Sequence, residues 1–573
     1  MMKFLSIVFA TLITGVSLAA DRNNVDDGAT YTDWPSYGGT DMAWRYSALD
    51  QINTSNVKKL RPAWIFQTGE YSDALQSTPI VIDGVMYLST NNSKVFALNA
   101  ATGDVIWQYD YPASRFSGGG DITDYVLHGA QNRGVAVAGG KVFLGTHDNY
   151  MVALDARTGQ ELWKVNIDNA QQCGCAPRGA PLVVKNTVII GGTGGDGAHR
   201  GYLTAFNINT GRLAWRWYTI PAKGEKGNET WKGDSWKLGG GANWMTGSYD
   251  SGLNLIYWGT GNAASDFYAG DRVVQGADAK NGINLYTASI VALDADTGKL
   301  KWYHQEIPHD VWDYDSAYEV ILFDRVIDGK LRKLLVHMNK SGLTFVLDRV
   351  TGKYVNAFLA NKVNTFLTSL GKHGELLGRR EPVLGKPVDI CPSGFAGGKS
   401  WNQMSYSPRT GLVYAPLLEI CNTITAIKQK PREGEFFAGG SGNVFLPPGL
   451  DNYSHLDAFD AVSGKLKWSY PYKYVLLASV LTTAGNLVFS GKPDGKFFAL
   501  DANNGKELWS FQTGAGNRGS AVSYAVEGKQ YIATPTGWGT IVGPLASGLF
   551  PEAGKNWRRG STLVVFSLPE GSE

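Results

Sequence analysis

Residues 95–107 read VFALNAATGDVIW, and this stretch decides the fold. An apolar strand runs into the tight turn NAATG, and a second strand carries Trp107 four residues after Gly103. Two short strands on either side of a Gly-containing turn predict a β-hairpin. A single hairpin cannot bury its own apolar face, so this one must pack against neighbouring sheets.

The same hairpin recurs along the chain. Seven copies share the turn, and in six of them a Trp follows the turn glycine by four residues. The other copies are MVALDARTGQELW at 151–163, YLTAFNINTGRLAW at 202–215, IVALDADTGKLKW at 290–302, TFVLDRVTGKYVN at 344–356, LDAFDAVSGKLKW at 456–468 and FFALDANNGKELW at 497–509. In the copy at 344–356, Asn356 stands where the Trp would fall.

Repeats of this kind predict an all-β chain. The composition agrees, with 71 glycines, 12% aromatic residues and only 18% charged residues, because short strands joined by tight turns use such residues. Hairpins that pack on their neighbours can close into a ring, which leaves few strand edges exposed. The segment LRPAW at 60–64 would supply the outer strand of one further sheet. We therefore predict an eight-bladed β-propeller.

Long intervals between some repeats predict loops and no second domain. The segments around 222–240, 262–285 and 357–400 are rich in Gly, Lys and Asn and fill the longest intervals. Propellers usually carry their functional sites on such loops. We expect residues 21–573 to form a single propeller domain.

The N-terminus has the layout of a cleavable secretory signal. Lys3 precedes an apolar run from Phe4 to about Val16, and small residues lead to polar Asp21. We expect residues 1–20 to be removed and the mature chain to reside in the periplasm. A membrane anchor is disfavoured because the apolar run is short, and no later stretch is long and apolar enough to span a bilayer.

Charge and cysteine content limit the partners. A net charge of +2 without a basic run gives no footprint for nucleic acid. The four cysteines form no C-x-x-C-H motif, so the chain encodes no covalent c-type haem. Cys173 and Cys175 flank a single glycine, and the sequence leaves open whether they form a small ring or stay free thiols.

Three further segments carry a resemblance to a known family. Residues 231–245 read WKGDSWKLGGGANWM, residues 257–264 read YWGTGNAA, and residues 308–316 read PHDVWDYDS. These segments and the Trp repeats, which are similar to tryptophan-docking motifs, resemble the quinoprotein alcohol dehydrogenases of the methanol and ethanol dehydrogenase family. Those enzymes use pyrroloquinoline quinone (PQQ). The resemblance covers nearly the whole mature chain and implies oxidation of a primary alcohol to an aldehyde.

The acidic segment is where the resemblance implies a metal ion. Asp310, Asp313 and Asp315 would repel one another unless a cation or solvent compensated them. The resemblance makes Asp313 the catalytic base and a metal neighbour, and Asp315 the extra carboxylate of lanthanide-dependent members. Asn262 resembles the amide ligand, and Asp196 stands where the family normally has Glu. A trivalent hard ion gains more from a further carboxylate than Ca²⁺ does, so a lanthanide is favoured over calcium.

The same resemblance implies the PQQ contacts. Trp244 would form a flat floor under the cofactor ring, Arg133 would clamp a carboxylate with its planar fork, and Lys340 would lie beside the reactive carbonyls. The other implied contacts are Gln76, Arg178, Thr193, Gly194, Gly195 and Trp538.

Cysteines of the family can be compared with this chain at two places. Relatives carry two adjacent Cys ahead of the Asn-Arg-Gly segment, forming a ring over PQQ, whereas this chain has Leu127 and His128 there. His128 either stacks on the quinone instead or is an ordinary loop histidine. Cys391 and Cys421, 30 residues apart, resemble the family's structural disulfide.

Since the chain encodes no haem, we expect a separate periplasmic cytochrome c to take the electrons from the small-molecule alcohol. Two rival interpretations remain: a calcium-dependent quinoprotein acting on a sugar or polyol, and a non-catalytic scaffold propeller. The particular alcohol stays open, as does the choice between a monomer and a homodimer.

Overall fold

The computed structural model describes most of the chain as β-sheet. The described residues are 32–71, 74–111, 126–127, 130–193, 195–273, 282–539 and 542–571. The predicted signal segment 1–20, His128 and Gly194 lie outside the described residues.

Eight sheets of four or five strands follow one another along the described chain. Sheet 1 comprises Ile80–Ile82, Val85–Ser89, Val95–Asn99 and Val105–Tyr109, and sheet 2 comprises Ala136–Ala138, Lys141–Gly145, Tyr150–Asp155 and Glu161–Asn166. Sheet 3 comprises Leu182–Val184, Thr187–Gly191, Tyr202–Asn207 and Leu213–Tyr218, and sheet 4 comprises Ser248–Asp250, Leu255–Gly259, Ser289–Asp294 and Leu300–Gln305. Sheet 5 comprises Ile321–Ile327, Lys330–Met338, Leu343–Asp348 and Tyr354–Leu359, and sheet 6 comprises Ser405–Ser407, Leu412–Leu418, Ser454–Asp460 and Leu466–Tyr472. Sheet 7 comprises Leu481–Thr483, Leu487–Gly491, Lys496–Asp501 and Glu507–Gln512, with Tyr46–Ser47 added in parallel.

Sheet 8 joins the two ends of the chain. Its strands are Val522–Val526, Lys529–Thr536, Thr562–Ser567 and, from the N-terminal side, Arg61–Gln67. Arg61–Gln67 pairs antiparallel with Thr562–Ser567. The outer strand predicted from LRPAW is therefore present.

The repeat tryptophans connect each sheet to the next. The indole N–H of Trp107 in sheet 1 donates to Ala156 O in the turn of sheet 2, at 3.0 Å. A Cβ on Gly159 in that turn would lie 2.6 Å from the Trp107 ring, so the ring covers a position that admits only glycine. The same indole-to-carbonyl bond joins Trp64 to Ala100, Trp163 to Ile208, Trp215 to Ala295, Trp302 to Arg349 and Trp468 to Ala502.

The copy that lacks Trp keeps the connection in another form. Asn356 Nδ2 in sheet 5 donates to Val462 O in sheet 6 at 2.9 Å. Trp509 of sheet 7 packs on Phe566 of sheet 8, with ring centroids 5.2 Å apart, and Trp64 of sheet 8 reaches back to Ala100 of sheet 1. The contacts therefore run round a closed ring. The chain is a β-propeller.

The N-terminal segment 32–47 lies along the first strands of several sheets. Its backbone bonds Val81 in sheet 1, Tyr249 in sheet 4, Leu322 in sheet 5, Tyr406 in sheet 6, Thr482 in sheet 7 and Ala525 in sheet 8. Arg45, fully buried in this segment, donates to the carbonyls of Tyr37, Val480 and Ala521. A segment that contacts sheets on all sides of a ring fills its centre.

Short elements occupy the connections. The helices are Ala170–Cys173, Val542–Leu549 and Pro551–Gly554, the 3₁₀ turns are Val57–Lys59, Asn228–Thr230 and Ser235–Leu238, and the additional strands are Ser369–Leu370, Leu376–Leu377, Pro387–Ile390, Cys421–Ala426 and Gly440–Phe445. In the described ranges, no helix has the length and apolarity needed to cross a membrane.

Replacing Gly159 by Ala should destabilise the fold more than replacing Gly528 by Ala. Both glycines have positive φ, +74° and +78°, but a Cβ at Gly528 meets nothing within 4 Å. Gly528→Ala therefore measures the backbone cost alone, about 1 kcal/mol. Gly159→Ala should lose about 1–3 kcal/mol more, because the methyl group collides with Trp107. Denaturant unfolding of both variants checks this, and equal losses would contradict the proposed contact.

Candidate active site

The acidic loop between sheets 4 and 5 is shaped by its first carboxylate. Asp310 accepts hydrogen bonds from Trp312 N at 3.0 Å and from Tyr314 N at 2.9 Å. Burial raises the pKa of Asp310 to about 6. Asp310 is thus occupied in folding its own loop, whereas Asp313 and Asp315 make different contacts.

Three loops bring charged and amide groups together. Lys340 Nζ, just after the second strand of sheet 5, lies 2.5 Å from Asp313 Oδ2 and 3.6 Å from Asp315 Oδ2. Asp315 Oδ1 accepts a bond from Asn262 N at 3.0 Å. The cluster therefore joins three segments that are distant in sequence, namely 257–264, 308–316 and 337–342.

Glycine allows a fourth loop to join this cluster. A Cβ at Gly195 would lie 2.1 Å from Asn262 Oδ1 and 3.6 Å from Asp315 Oδ1. Asp196 follows directly, and its carbonyl accepts a bond from Phe437 N at 2.7 Å. Any side chain at position 195 would collide with Asn262, so the loop that carries Asp196 approaches the cluster only with glycine there.

Two oxygen atoms in the cluster have no hydrogen-bond donor among the described residues. Asn262 Oδ1 and Asp313 Oδ1 are buried and accept no hydrogen bond from the residues that the structure describes. Buried polar atoms are normally satisfied, and carboxylate and amide oxygens are the ligands that hard cations prefer. The donor set fits a Ca²⁺ or lanthanide ion.

The electrostatics of the cluster favour a cation. Burial raises the pKa of Asp313 well above its ordinary range and also raises the pKa of Asp315, although Lys340 opposes both shifts and Asp196 adds to them. Burial alone would lower the pKa of Lys340, but Asp313 and Asp315 raise it well above its ordinary value. One ammonium group does not fully compensate these buried carboxylates.

The carboxylates do not yet have the spacing of a formed metal centre. Within the described part of the chain, no three Asp, Glu, His or Cys side chains are close enough together to hold an ion. Lys340 occupies the space between Asp313 and Asp315. Cation binding therefore requires Lys340 and the carboxylates to rotate.

A stack of aromatic rings and guanidinium groups adjoins the cluster. Trp244, whose indole N–H lies 3.5 Å from Asp315 Oδ1, is only partly buried. The guanidinium of Arg133 lies 5.3 Å from the Trp244 ring and 4.4 Å from the Trp401 ring. Arg518 lies 5.8 Å from Trp401 and 5.9 Å from Trp538. The stack offers flat surfaces with positive charge, which suits a flat anionic molecule.

Polar groups beside this aromatic stack also lack hydrogen-bond partners among the described residues. Arg133 Nε and Nη1 and both amide atoms of Gln76 are buried without a hydrogen bond among the described residues. Arg133 N donates to Arg178 O at 2.9 Å, and Thr78 N donates to Arg133 O at 2.9 Å. The loops ahead of sheets 1, 2 and 3 are thereby joined, and they fit the polar edge of a bound cofactor.

Thr193 and Trp538, which are also expected to contact PQQ, lie just after the second strands of sheets 3 and 8. Thr193 exchanges backbone and side-chain hydrogen bonds with Ala176, two residues before Arg178. Trp538 is buried beside Trp557, with ring centroids 5.2 Å apart.

Sequence reasoning missed four residues of this region. Tyr37 lies in one apolar cluster with Trp401 and against Trp244, and Arg518 extends the stack described above. Asp266 Oδ1 accepts a bond from Asn262 Nδ2 at 2.6 Å. Trp401 and Arg518 precede the first strands of sheets 6 and 8, as Arg133 and Trp244 precede those of sheets 2 and 4, and that shared position was a usable signal.

All four cysteines form disulfides. Cys391 pairs with Cys421, as the family resemblance implied, and Cys173 pairs with Cys175. Asn149 Nδ2 lies 3.7 Å and 3.4 Å from the two sulfurs of the second pair. Gly174 O accepts a bond from Leu127 N at 3.0 Å. The Cys173–Cys175 ring therefore supports the loop that leads towards Arg133.

Comparison with known proteins agrees with this fold. A family model described as "PQQ: Glucose/ethanol/alcohol dehydrogenase, beta-propeller domain" matches residues 34–367 and 472–532. The protein is thus a quinoprotein of the β-propeller class. A quinohemoprotein alcohol dehydrogenase of Comamonas testosteroni is 39% identical over 539 residues, covering 90% of this chain and 74% of the relative. The quinoprotein alcohol dehydrogenase PedH of Pseudomonas putida is 36% identical, covering 92% and 89%.

A solved structure gives the same result. A europium-containing methanol dehydrogenase superimposes with a TM-score of 0.87 at 32% identity, covering 95% of this chain and 99% of the other. The chain belongs to the family of PQQ-dependent alcohol dehydrogenases and is an enzyme of that class.

Thiol labelling should find no free cysteine in the oxidised protein. Iodoacetamide added under denaturing conditions without reductant should give no mass increase, because all four cysteines are paired. Reduction before labelling should add four groups, which serves as the control. Two labels without reductant, mapped to the peptide with Cys173 and Cys175, would show that this pair is a dithiol.

Proposed function

We propose that the protein oxidises a primary alcohol to an aldehyde in the periplasm, using PQQ and a lanthanide ion, with Asp313 as the base. The observation that carries the proposal is the cluster in which Asp313 Oδ1 and Asn262 Oδ1 lie buried and unpaired within the described residues, beside Lys340 and Asp315. A cation and a substrate hydroxyl group would satisfy these oxygens.

The propeller would serve as the frame of this site. We propose that the eight sheets are eight blades, that each repeat Trp docks on the next blade, and that residues 21–573 form one domain once residues 1–20 are removed. The ring of indole-to-carbonyl bonds supports this assignment.

PQQ would lie in the cradle of loops that precede the first strands. Arg133 would donate its unpaired Nε and Nη1 to a cofactor carboxylate, as its planar fork suits. Gln76 would bond the polar edge, and Trp244 would stack under the ring. The further contacts are Arg178, Thr193, Gly194, Gly195, Lys340 and Trp538, together with His128 as a stacking residue.

When bound, PQQ supplies the two-electron oxidant and the cation supplies a Lewis acid. Asp313 would accept the hydroxyl proton of the alcohol, because its Oδ1 accepts no hydrogen bond from the described residues and burial makes its carboxylate a stronger base. Lys340 would hold the other oxygen, Oδ2, and so orient the carboxylate. The buried position of both groups excludes water from the proton transfer.

The ligands proposed for the cation are Asp196, Asn262, Asp313 and Asp315. Asp315 favours a lanthanide over Ca²⁺, because a trivalent ion gains more from each additional carboxylate. The europium named in the structurally similar methanol dehydrogenase supports the same choice.

Electrons would leave to a separate cytochrome c. The reduced cofactor must be reoxidised, and the chain has no C-x-x-C-H motif for a haem of its own.

Reconstitution with metals tests the proposal directly. The purified metal-free protein is loaded with PQQ and either La³⁺ or Ca²⁺, and dye-linked ethanol oxidation is measured against a metal-free control. We expect turnover with La³⁺, because Asp196, Asp313 and Asp315 would supply three carboxylate ligands. Turnover only with Ca²⁺ would refute the lanthanide assignment and favour a calcium enzyme, with sugars and polyols as the next substrates to screen. Failure to bind PQQ would refute the proposed cofactor site.

Two substitutions separate the base from the metal preference. Asp313→Ser should lower turnover by about 10²–10⁴-fold, because the proton acceptor is lost. Asp315→Ala should remove La³⁺-supported turnover selectively, because the trivalent ion loses a carboxylate ligand. Circular dichroism and PQQ titration confirm that each variant is folded. Substantial residual activity of Asp313→Ser would exclude it as the base, and unchanged La³⁺ activity of Asp315→Ala would exclude it as a ligand.

A further inference from the structure

Asp266 lies at the cation cluster and has no role in the function proposed so far. It follows Asn262 by four residues, on the loop after the second strand of sheet 4, and is 2% exposed. Its Oδ1 accepts the bond from Asn262 Nδ2 at 2.6 Å. A buried carboxylate that receives only amide hydrogen bonds is costly unless a positive charge compensates it.

The position of Asp266 is fixed relative to the acidic loop. Arg272 is buried and donates one guanidinium nitrogen to both Ser265 O and Asp310 O. Ser265 precedes Asp266, and Asp310 begins the turn that presents Asp313. Arg272 therefore holds the loop of Asp266 against the loop of Asp313.

The hydrogen bond from Asn262 also orients the amide. Because Nδ2 bonds Asp266, Oδ1 is the atom of the same amide group that faces Gly195 and Asp315. That oxygen is the buried acceptor without a partner in the described residues. Asp266 thus borders the same space into which Asn262 Oδ1 is aimed.

The charge around this space is strongly negative. The carboxylates of Asp196, Asp266, Asp313 and Asp315 interact with one another, and Lys340 is the ammonium group that faces them. The guanidinium of Arg272 also interacts with Asp266 and Asp310, and it donates hydrogen bonds to Asn284 and to backbone carbonyls. The carboxylates around this space outnumber the positively charged groups that face them, which favours a cation.

We propose that Asp266 is a fourth carboxylate ligand of the cation, in addition to Asp196, Asp313 and Asp315. The inference rests on the proposed function, which places a cation at this cluster. A carboxylate has two oxygens, so Asp266 keeps the bond from Asn262 on Oδ1 while Oδ2 binds the ion. The additional carboxylate strengthens the preference for a trivalent ion over Ca²⁺ and excludes one water molecule from its coordination sphere.

Europium luminescence tests this without measuring activity. The PQQ-loaded protein is titrated with Eu³⁺, and the decay rates in H₂O and D₂O give the number of water molecules bound to the ion. In Asp266→Asn that number should rise by about one, because water replaces the lost carboxylate oxygen. The Eu³⁺ dissociation constant should rise at least about tenfold, since even outer partners of a metal ligand contribute that much.

The variant is chosen to separate a ligand from a positioning residue. Asn at 266 keeps an oxygen that accepts the bond from Asn262 Nδ2, so the orientation of Asn262 is preserved while the anionic ligand is lost. Asp250→Asn is the matched control, because Asp250 is equally buried but pairs with Arg349 outside the site. The control should leave the water number unchanged, and so should Asp266→Glu if the longer carboxylate still reaches the ion.

Each outcome decides one claim. A water number that is the same in the wild type and in Asp266→Asn would overturn the role of Asp266 as a ligand, even if affinity fell. If the wild type binds PQQ but no Eu³⁺, the proposed lanthanide site fails and this inference fails with it. Binding of Eu³⁺ by the wild type with an unchanged variant would overturn only the inference about Asp266.

Discussion

The contact between Trp64 and the turn at Gly103 holds the ring of sheets closed. A Cβ at Gly103 would lie 2.5 Å from the Trp64 ring, and the indole N–H bonds Ala100 O. Trp64 arrives on a strand from the N-terminal side and pairs with strand Thr562–Ser567 near the C-terminal end. Closure therefore brings together segments about 500 residues apart. The other sheets must all pack between these two segments.

Closure also decides where chemistry is located. Arg133 and Trp244 precede the first strands of sheets 2 and 4, whereas Lys340 follows the second strand of sheet 5. The three residues meet around Trp244 and Asp315 although each belongs to a different sheet. The segment 32–47 fills the centre and places Tyr37 in the apolar cluster that contacts Trp244. A rigid ring can hold partly unsatisfied polar groups in place, because no single loop is free to collapse around them.

The sequence predicted the fold well because the deciding contacts are local. Each hairpin has its turn glycine and its Trp within about 13 residues. The replacement of Trp by Asn356 in one copy was visible in the sequence as well. What the sequence did not show is that Asn356 keeps the bond to the next sheet through its amide. Spacing alone also left Cys173 and Cys175 undecided, because a bridge across one glycine depends on the backbone that Asn149 and Leu127 support.

The sequence pointed to residues of the candidate site only where a motif carried them. Asp313, Asp315 and Asn262 stand in recognisable segments, and the structure brings them together. Asp266 follows one of these segments without belonging to it, and Trp401, Arg518 and Tyr37 reach the region through contacts between distant loops. These contacts depend on the radius of the ring and on the close approach of the Gly195 loop to Asn262. A short stretch of sequence predicts neither of them.

The carboxylates buried in the candidate site make folding less favourable. Burying several carboxylates around one lysine opposes folding, and the raised pKa values of Asp313 and Asp315 reflect that cost. A raised folded-state pKa favours the protonated form, so without a cation the folded state loses stability as pH rises from the ordinary pKa of an aspartate towards the raised value. In the proposed function, a bound cation would reverse this dependence, because it selects the ionised carboxylates. The carboxylates that oppose folding would then be the ones that bind the highly charged ion.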